Sequence, residues 1–181
     1  MVVGRTAAGT GIPAQLAVTS DEGVVGFLVG VERAVAIAYD QAGSVLGSPA
    51  AVTTAAAFRA HHMAHAEALD ALVAGAAPPR GPNREFLATL MASLQGITDQ
   101  QAELAVLYSL EEQMAATYEW AVGRLAGPDA LQQVAAILEV EGQHAVAIGI
   151  LLSKTLDELV PPYQTDAGYL VPGDVGVTDL G

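Results

Sequence analysis

The segment HHMAHAEAL, residues 61–69, places His61, His62 and His65 in a run of alanine, methionine and leucine, in a chain with four histidines altogether. The fourth, His144, closes the stretch EVEGQH, with Glu141 three residues before it. Residues three apart share a helix face, so His62 with His65, and Glu141 with His144, can each reach one centre. Imidazole nitrogen and carboxylate oxygen together suit Fe, Mn or Zn. Cysteine is absent, which removes thiolate ligands, disulfides and cysteine nucleophiles.

An internal repeat ties these residues to others. Adding 79 to each number lays Val25 on Leu104, Leu28 on Leu107, Glu32 on Glu111, Val35 on Met114 and Tyr39 on Tyr118. The same offset lays Ala55 on Val134, Phe58 on Ile137, His62 on Glu141, His65 on His144, Leu69 on Ile148 and Leu72 on Leu151. All eleven pairs are apolar, identical or a His/Glu exchange, and they step by three and four, as the inward seam of a bundled helix does. Glu32, His62, His65, Glu111, Glu141 and His144 therefore belong inside an apolar seam. No Lys or Arg shares that seam, and burying an uncompensated carboxylate costs several kcal/mol. A metal centre is the expected compensation.

The elements that must carry this seam are helices. One is expected over about 20–43, capped by Thr19 or Ser20, and a second over about 50–74, ending at Gly75. A turn-rich break, AAPPRGPN, precedes a short helix at about 84–95, and long helices follow at about 98–125 and 129–156. Short connections make each long pair an antiparallel hairpin, while the link at about 75–97 can run the length of a bundle. The expected division is an N-terminal extension at 1–18, an all-α four-helix bundle at 19–156 and an irregular tail at 157–181, which is rich in Pro and Gly. Gly23, Gly26 and Gly30 along one helix imply a close approach by another backbone, either within the bundle or across a dimer face.

Asp and Glu number 20 against 7 for Lys and Arg, a net charge of −13 that argues against nucleic acid or an anionic membrane as partner. No apolar stretch of about 18 residues lacks a charge, so no membrane span is expected. The first twenty residues show no signal-peptide core, so a cytoplasmic location is expected, with an exported form whose leader has been trimmed as the alternative.

Two hairpins joined by a long crossover, with the order Glu32, the 62–65 pair, Glu111 and Glu141-x-x-His144, resemble the ferritin-like di-metal carboxylate proteins. The likeness covers about residues 20–155 and looks closest to bacterial ferritin-like domains related to desiccation-associated proteins. It implies a ferritin-like four-helix bundle whose core holds two Fe or Mn ions on those six residues. It implies oxidation of Fe(II) or reduction of O2 or peroxide. Tyr39 and Tyr118 resemble the family's tyrosines behind the ligand carboxylates. One departure is plain: His62 stands where the family has a glutamate. Three carboxylates then leave two divalent ions with a charge of about +1, so a single Fe, Mn or Zn ion is the alternative. A non-enzymatic, stress-associated bundle with a structural or empty site is the second functional reading. A homodimer is the expected assembly, and an interaction module using the glycine face is a third, weaker idea. His61 falls on Val140 in the repeat and reads as a flanking residue. Glu67, Glu112 and Glu139 have no acidic mate in the repeat; Glu112 and Glu139 lie beside the seam, where either could support a ligand or substitute for one, and Trp120 reads as core.

Overall fold

The structure, a computed structural model, describes residues 20–73, 80–160 and 168–172; the expected extension at 1–18 and much of the tail lie outside them. The elements in chain order are α1 (Asp21–Ala42), α2 (Pro49–Val73), α3 (Arg84–Leu94), α4 (Gln100–Val122), α5 (Pro128–Leu151) and α6 (Leu156–Leu159). α1 packs chiefly on α2, α4 on α5, and α2 on α5. This is the all-α bundle of two hairpins joined by a long crossover that the sequence leads one to expect. The helix starts follow local chemistry. Ser20, Asn83 and Asp99 accept bonds from Gly23 N, Phe86 N and Ala102 N as N-caps, and Pro49 and Pro128 begin α2 and α5.

The repeat extends into the loops. The Asp21 carboxylate accepts from Ala126 N at 3.0 Å and Gly127 N at 2.6 Å, tying the α4–α5 turn to the start of α1. Offset by 79, Gln100 Oε1 accepts from Gly47 N at 2.9 Å and Ser48 N at 2.8 Å, tying the α1–α2 turn to the start of α4. The two hairpins therefore hold one another by equivalent bonds at opposite ends.

α1 is buried almost all round, which explains the run VVGFLVGV: α3 lies over its outer side through Phe86, Leu90 and Leu94. The glycine question is settled here as well. A Cβ on Gly26 would come within 2.8 Å of Arg80 Nε, and one on Gly30 within 3.4 Å of Asn83. Asn83 N also donates to Gly30 O at 2.8 Å. The glycine face is occupied by the crossover, so it is not free for a dimer or a partner, and the interaction-module idea falls with it.

One boundary differs from expectation. α5 stops at Leu151 rather than near 156, because Ser153 takes a left-handed backbone (φ 60°) and the chain turns into α6. α6 seats Leu159 against Gly149. The described tail residues 168–172 lie on α4: Leu170 N donates to Thr117 Oγ1, Gln113 donates to Gly168 O, and Tyr169 stacks on Trp120. By length and composition α5 could cross a bilayer, but here it carries Glu141 and His144 into the bundle seam.

The glycines give a paired test. Gly30→Leu should push the crossover off α1 and lower stability by about 1–3 kcal/mol in urea denaturation. Gly142→Ala should raise it by about 0.5–1 kcal/mol, since nothing lies within 4 Å of a Cβ there and mid-helix glycine is costly. Equal and small effects at both positions would contradict this packing.

Candidate metal centre

α1, α2, α4 and α5 each turn one stripe inward, and the six residues marked by the repeat meet where those stripes cross. Glu32, His62, Glu111 and Glu141 are fully buried and His144 nearly so, while the His65 side chain is 12% exposed. The donors form two sets whose ligand atoms lie within 4.8 Å of one another: Glu32, His62, His65 and Glu141, and then His62, Glu111, Glu141 and His144. Each set becomes the other under the offset of 79. The equivalence extends to the residue pairs in contact. His65 Nδ1 stands 3.5 Å from Glu32 Oε1, and His144 Nδ1 stands 3.3 Å from Glu111 Oε2.

Both tyrosines expected behind the carboxylates are there, and each reaches across to the other hairpin. Tyr39 of α1 donates to Glu111 Oε1, and Tyr118 of α4 donates to Glu32 Oε1. Burial, and then the facing carboxylates, push both hydroxyls well above the usual tyrosine value, so they remain donors. His62 lies centrally, with Nδ1 2.7 Å from Glu32 Oε2 and Nε2 3.2 Å from Glu111 Oε1.

Glu141 provides the test of whether a cation fits. Both its oxygens, and His65 Nδ1, are buried without a hydrogen-bond partner, although His65 Nδ1 is only 2.9 Å from Glu141 Oε1. Two donors each about 2.1 Å from one ion stand roughly 3 Å apart without pointing at each other. The arrangement of these atoms therefore fits a shared cation better than a hydrogen bond.

Without a metal, protons supply the compensation. Burial opposes charge on every group, yet the facing carboxylates raise His62 well above the usual histidine value, His65 to about 9, and His144 upward. Against the same cost of burial, the imidazoles hold Glu32 and Glu111 below the carboxylate range. Glu141 is displaced upward by burial and then by Glu32.

The remaining acids stay outside the cluster. Glu67 and Glu139 are exposed; Glu112 is exposed and pairs with Tyr108, whose hydroxyl burial and then Glu112 push up to about 12. Trp120 is core, edge-on to Phe27 with Arg124 over its face. Two features were missed by the sequence reading. Glu103, in the first turn of α4, is buried with Oε2 unpartnered, and its mate Val24 gave no hint of it. His61 is exposed, as expected, but its Nδ1 lies 2.9 Å from His144 Nε2.

Residues 20–154 match the family model described as a ferritin-like domain. No curated protein and no solved structure gives a significant match.

The two sets of shifts put opposite limits on the metal-free fold. Raised imidazoles stabilise it fully below 6.5, and for His65 that contribution is lost as pH rises through about 9. Depressed Glu32 and Glu111 stabilise it above 4.5 and lose that contribution as pH falls. Urea midpoints of chelator-treated protein should therefore be highest between about 4.5 and 6.5 and fall on either side. A flat profile across this range and up to pH 9 would show that the six groups do not ionise against one another.

Proposed function

Since the chain belongs to the ferritin-like domain family, we propose that its buried His/Glu cluster is a non-haem metal centre for two Fe or Mn ions, used to oxidise Fe(II) or reduce O2 or peroxide. The observation that carries this reading is Glu141, buried between three imidazoles with neither oxygen hydrogen-bonded. Glu32, His62, His65 and Glu141 would hold one ion, and Glu111, Glu141 and His144 the other. Such a pair supplies one-electron redox chemistry and positions at which an oxidant binds.

The chain's own residues would do the rest. Tyr39 and Tyr118 hold Glu111 and Glu32 in place from the opposite hairpin. Phe58 covers the face of His144, and Val35, Met114 and Leu107 belong to the same buried core, which limits water there. As ions bind, the imidazoles give up their protons, so affinity should rise with pH. A homodimer remains the proposed assembly, supported by Val52 and Met63, apolar side chains left exposed on one side of α2.

One observation favours a second reading. His62 belongs to both donor sets, yet a neutral imidazole has a single lone pair, so one full site and one poor site is the natural outcome. A single structural ion, such as Zn, in a non-enzymatic bundle would fit that inequality.

Elemental analysis separates the two. Native-purified protein should carry up to two Fe or Mn per chain, a variant with Glu111→Ala and Glu141→Ala should carry little, and anaerobic Fe(II) followed by O2 should consume oxygen only in the parent. One Zn per chain with no oxygen uptake would favour the structural reading. Absence of metal even after Fe(II) addition would remove both.

A further inference from the structure

His61 lies outside the six candidate ligands, on the exposed side of α2, yet it touches one of them. Its Nδ1 is 2.9 Å from His144 Nε2, with ring centroids 5.2 Å apart and planes inclined by 22°. Those values describe two imidazoles meeting edge to edge in nearly one plane, which is the geometry of an N–H···N hydrogen bond. Stacked rings look different here: Phe58 covers the face of His144 with centroids 3.9 Å apart. His144 is thus held on its face by Phe58 and at its outer edge by His61. Its inner edge presents Nδ1 to Glu111 Oε2 at 3.3 Å and Glu141 Oε2 at 3.5 Å.

A neutral imidazole carries one N–H and one lone pair. A proton on His144 Nε2 leaves the lone pair on Nδ1, facing the carboxylates; a proton on Nδ1 would turn a donor toward the place a cation would take. We propose that His61 is a positioning residue for His144, accepting the Nε2–H bond and so fixing the tautomer that offers Nδ1 to a metal ion. This rests on the reading of the cluster as a metal centre. The hydrogen bond also marks an asymmetry between the halves. His65 is the repeat mate of His144, but the position matching His61 is Val140, which has no hydrogen-bonding side chain. One ligand histidine is braced by an imidazole from outside, while its mate has an aliphatic residue in that place and opens partly to water.

The test uses Zn(II), whose diamagnetism allows histidine NMR, on the whole chain and on three variants with the helical circular dichroism of the parent. His61→Ala and His61→Phe should weaken Zn(II) binding by roughly tenfold to a hundredfold in chelator competition. His61→Gln, whose side-chain oxygen can accept the same bond, should recover most of the loss. In the Zn-loaded parent and in His61→Gln, nitrogen-15 spectra should show His144 protonated at Nε2 and metal-bound through Nδ1. In His61→Phe that pattern should become mixed. If the parent binds Zn(II) and His61→Phe matches it in affinity and spectrum, the positioning role is overturned while the metal centre stands. Equal losses in His61→Gln and His61→Phe would also overturn it, because packing alone would then explain both. A parent that takes up no Zn(II) would remove the metal centre and the proposal together.

Discussion

Three carboxylates and three imidazoles buried at the crossing of four apolar stripes set the terms for the rest of this molecule. An ionised group in that position costs several kcal/mol unless opposite charge stands beside it, and the chain places no Lys or Arg among the six. Compensation comes either from protons shared among the six groups or from a cation they enclose. Both depend on the four helices keeping their register, since the donors converge within a few ångströms. The bonds that fix that register are therefore part of the site's chemistry. Asp21 and Gln100 lock the two turns, Asn83 docks the crossover, and Tyr39 and Tyr118 bind each hairpin to the carboxylate of the other.

The repeat explains how so short a chain builds such a centre. A hairpin that presents one carboxylate and one i,i+3 pair cannot bury them alone. Facing a copy of itself across an approximate twofold, it completes two donor sets at once. What the duplication cannot supply is the outer cover, because α1 and α4 each have a buried outer face and only one crossover exists. α3 covers α1, and residues 168–172 cover α4. The tail is thus partly structural, although its Pro and Gly content reads as loop.

Much of this could be read from the residues. The seam positions follow from steps of three and four, and the buried His/Glu cluster follows because polar residues occupy seam positions in both halves. The cap at Ser20 and the long crossover lie close to where turn chemistry puts them. Less legible was everything that depends on which outer faces meet. Gly26 and Gly30 announce a close neighbour without naming it, and only the path of the crossover identifies Arg80 and Asn83. His61 is off the seam by periodicity, so nothing in its spacing tells that an exposed ring would turn edge-on to His144. Glu103 breaks an apolar pattern and has no acidic mate.

The departures from the repeat are more informative than its matches. Where both halves agree, at Glu32 and Glu111 or at Tyr39 and Tyr118, the contacts agree as well. Where they differ, the two donor sets acquire different capacities. Glu141 can serve both sets at once, because each carboxylate oxygen has lone pairs of its own. Its mate His62 faces Glu32 with one nitrogen and Glu111 with the other, but as a neutral ring it can give a lone pair to only one side. His144 has an imidazole behind it and His65 does not. Two donor sets made equivalent by the repeat are thus made unequal by differences at two positions of each hairpin. The inequality lies in the donors themselves: Glu141 is open to both sets and His144 is braced within one, while which set gains His62 depends on the side to which it turns its lone pair.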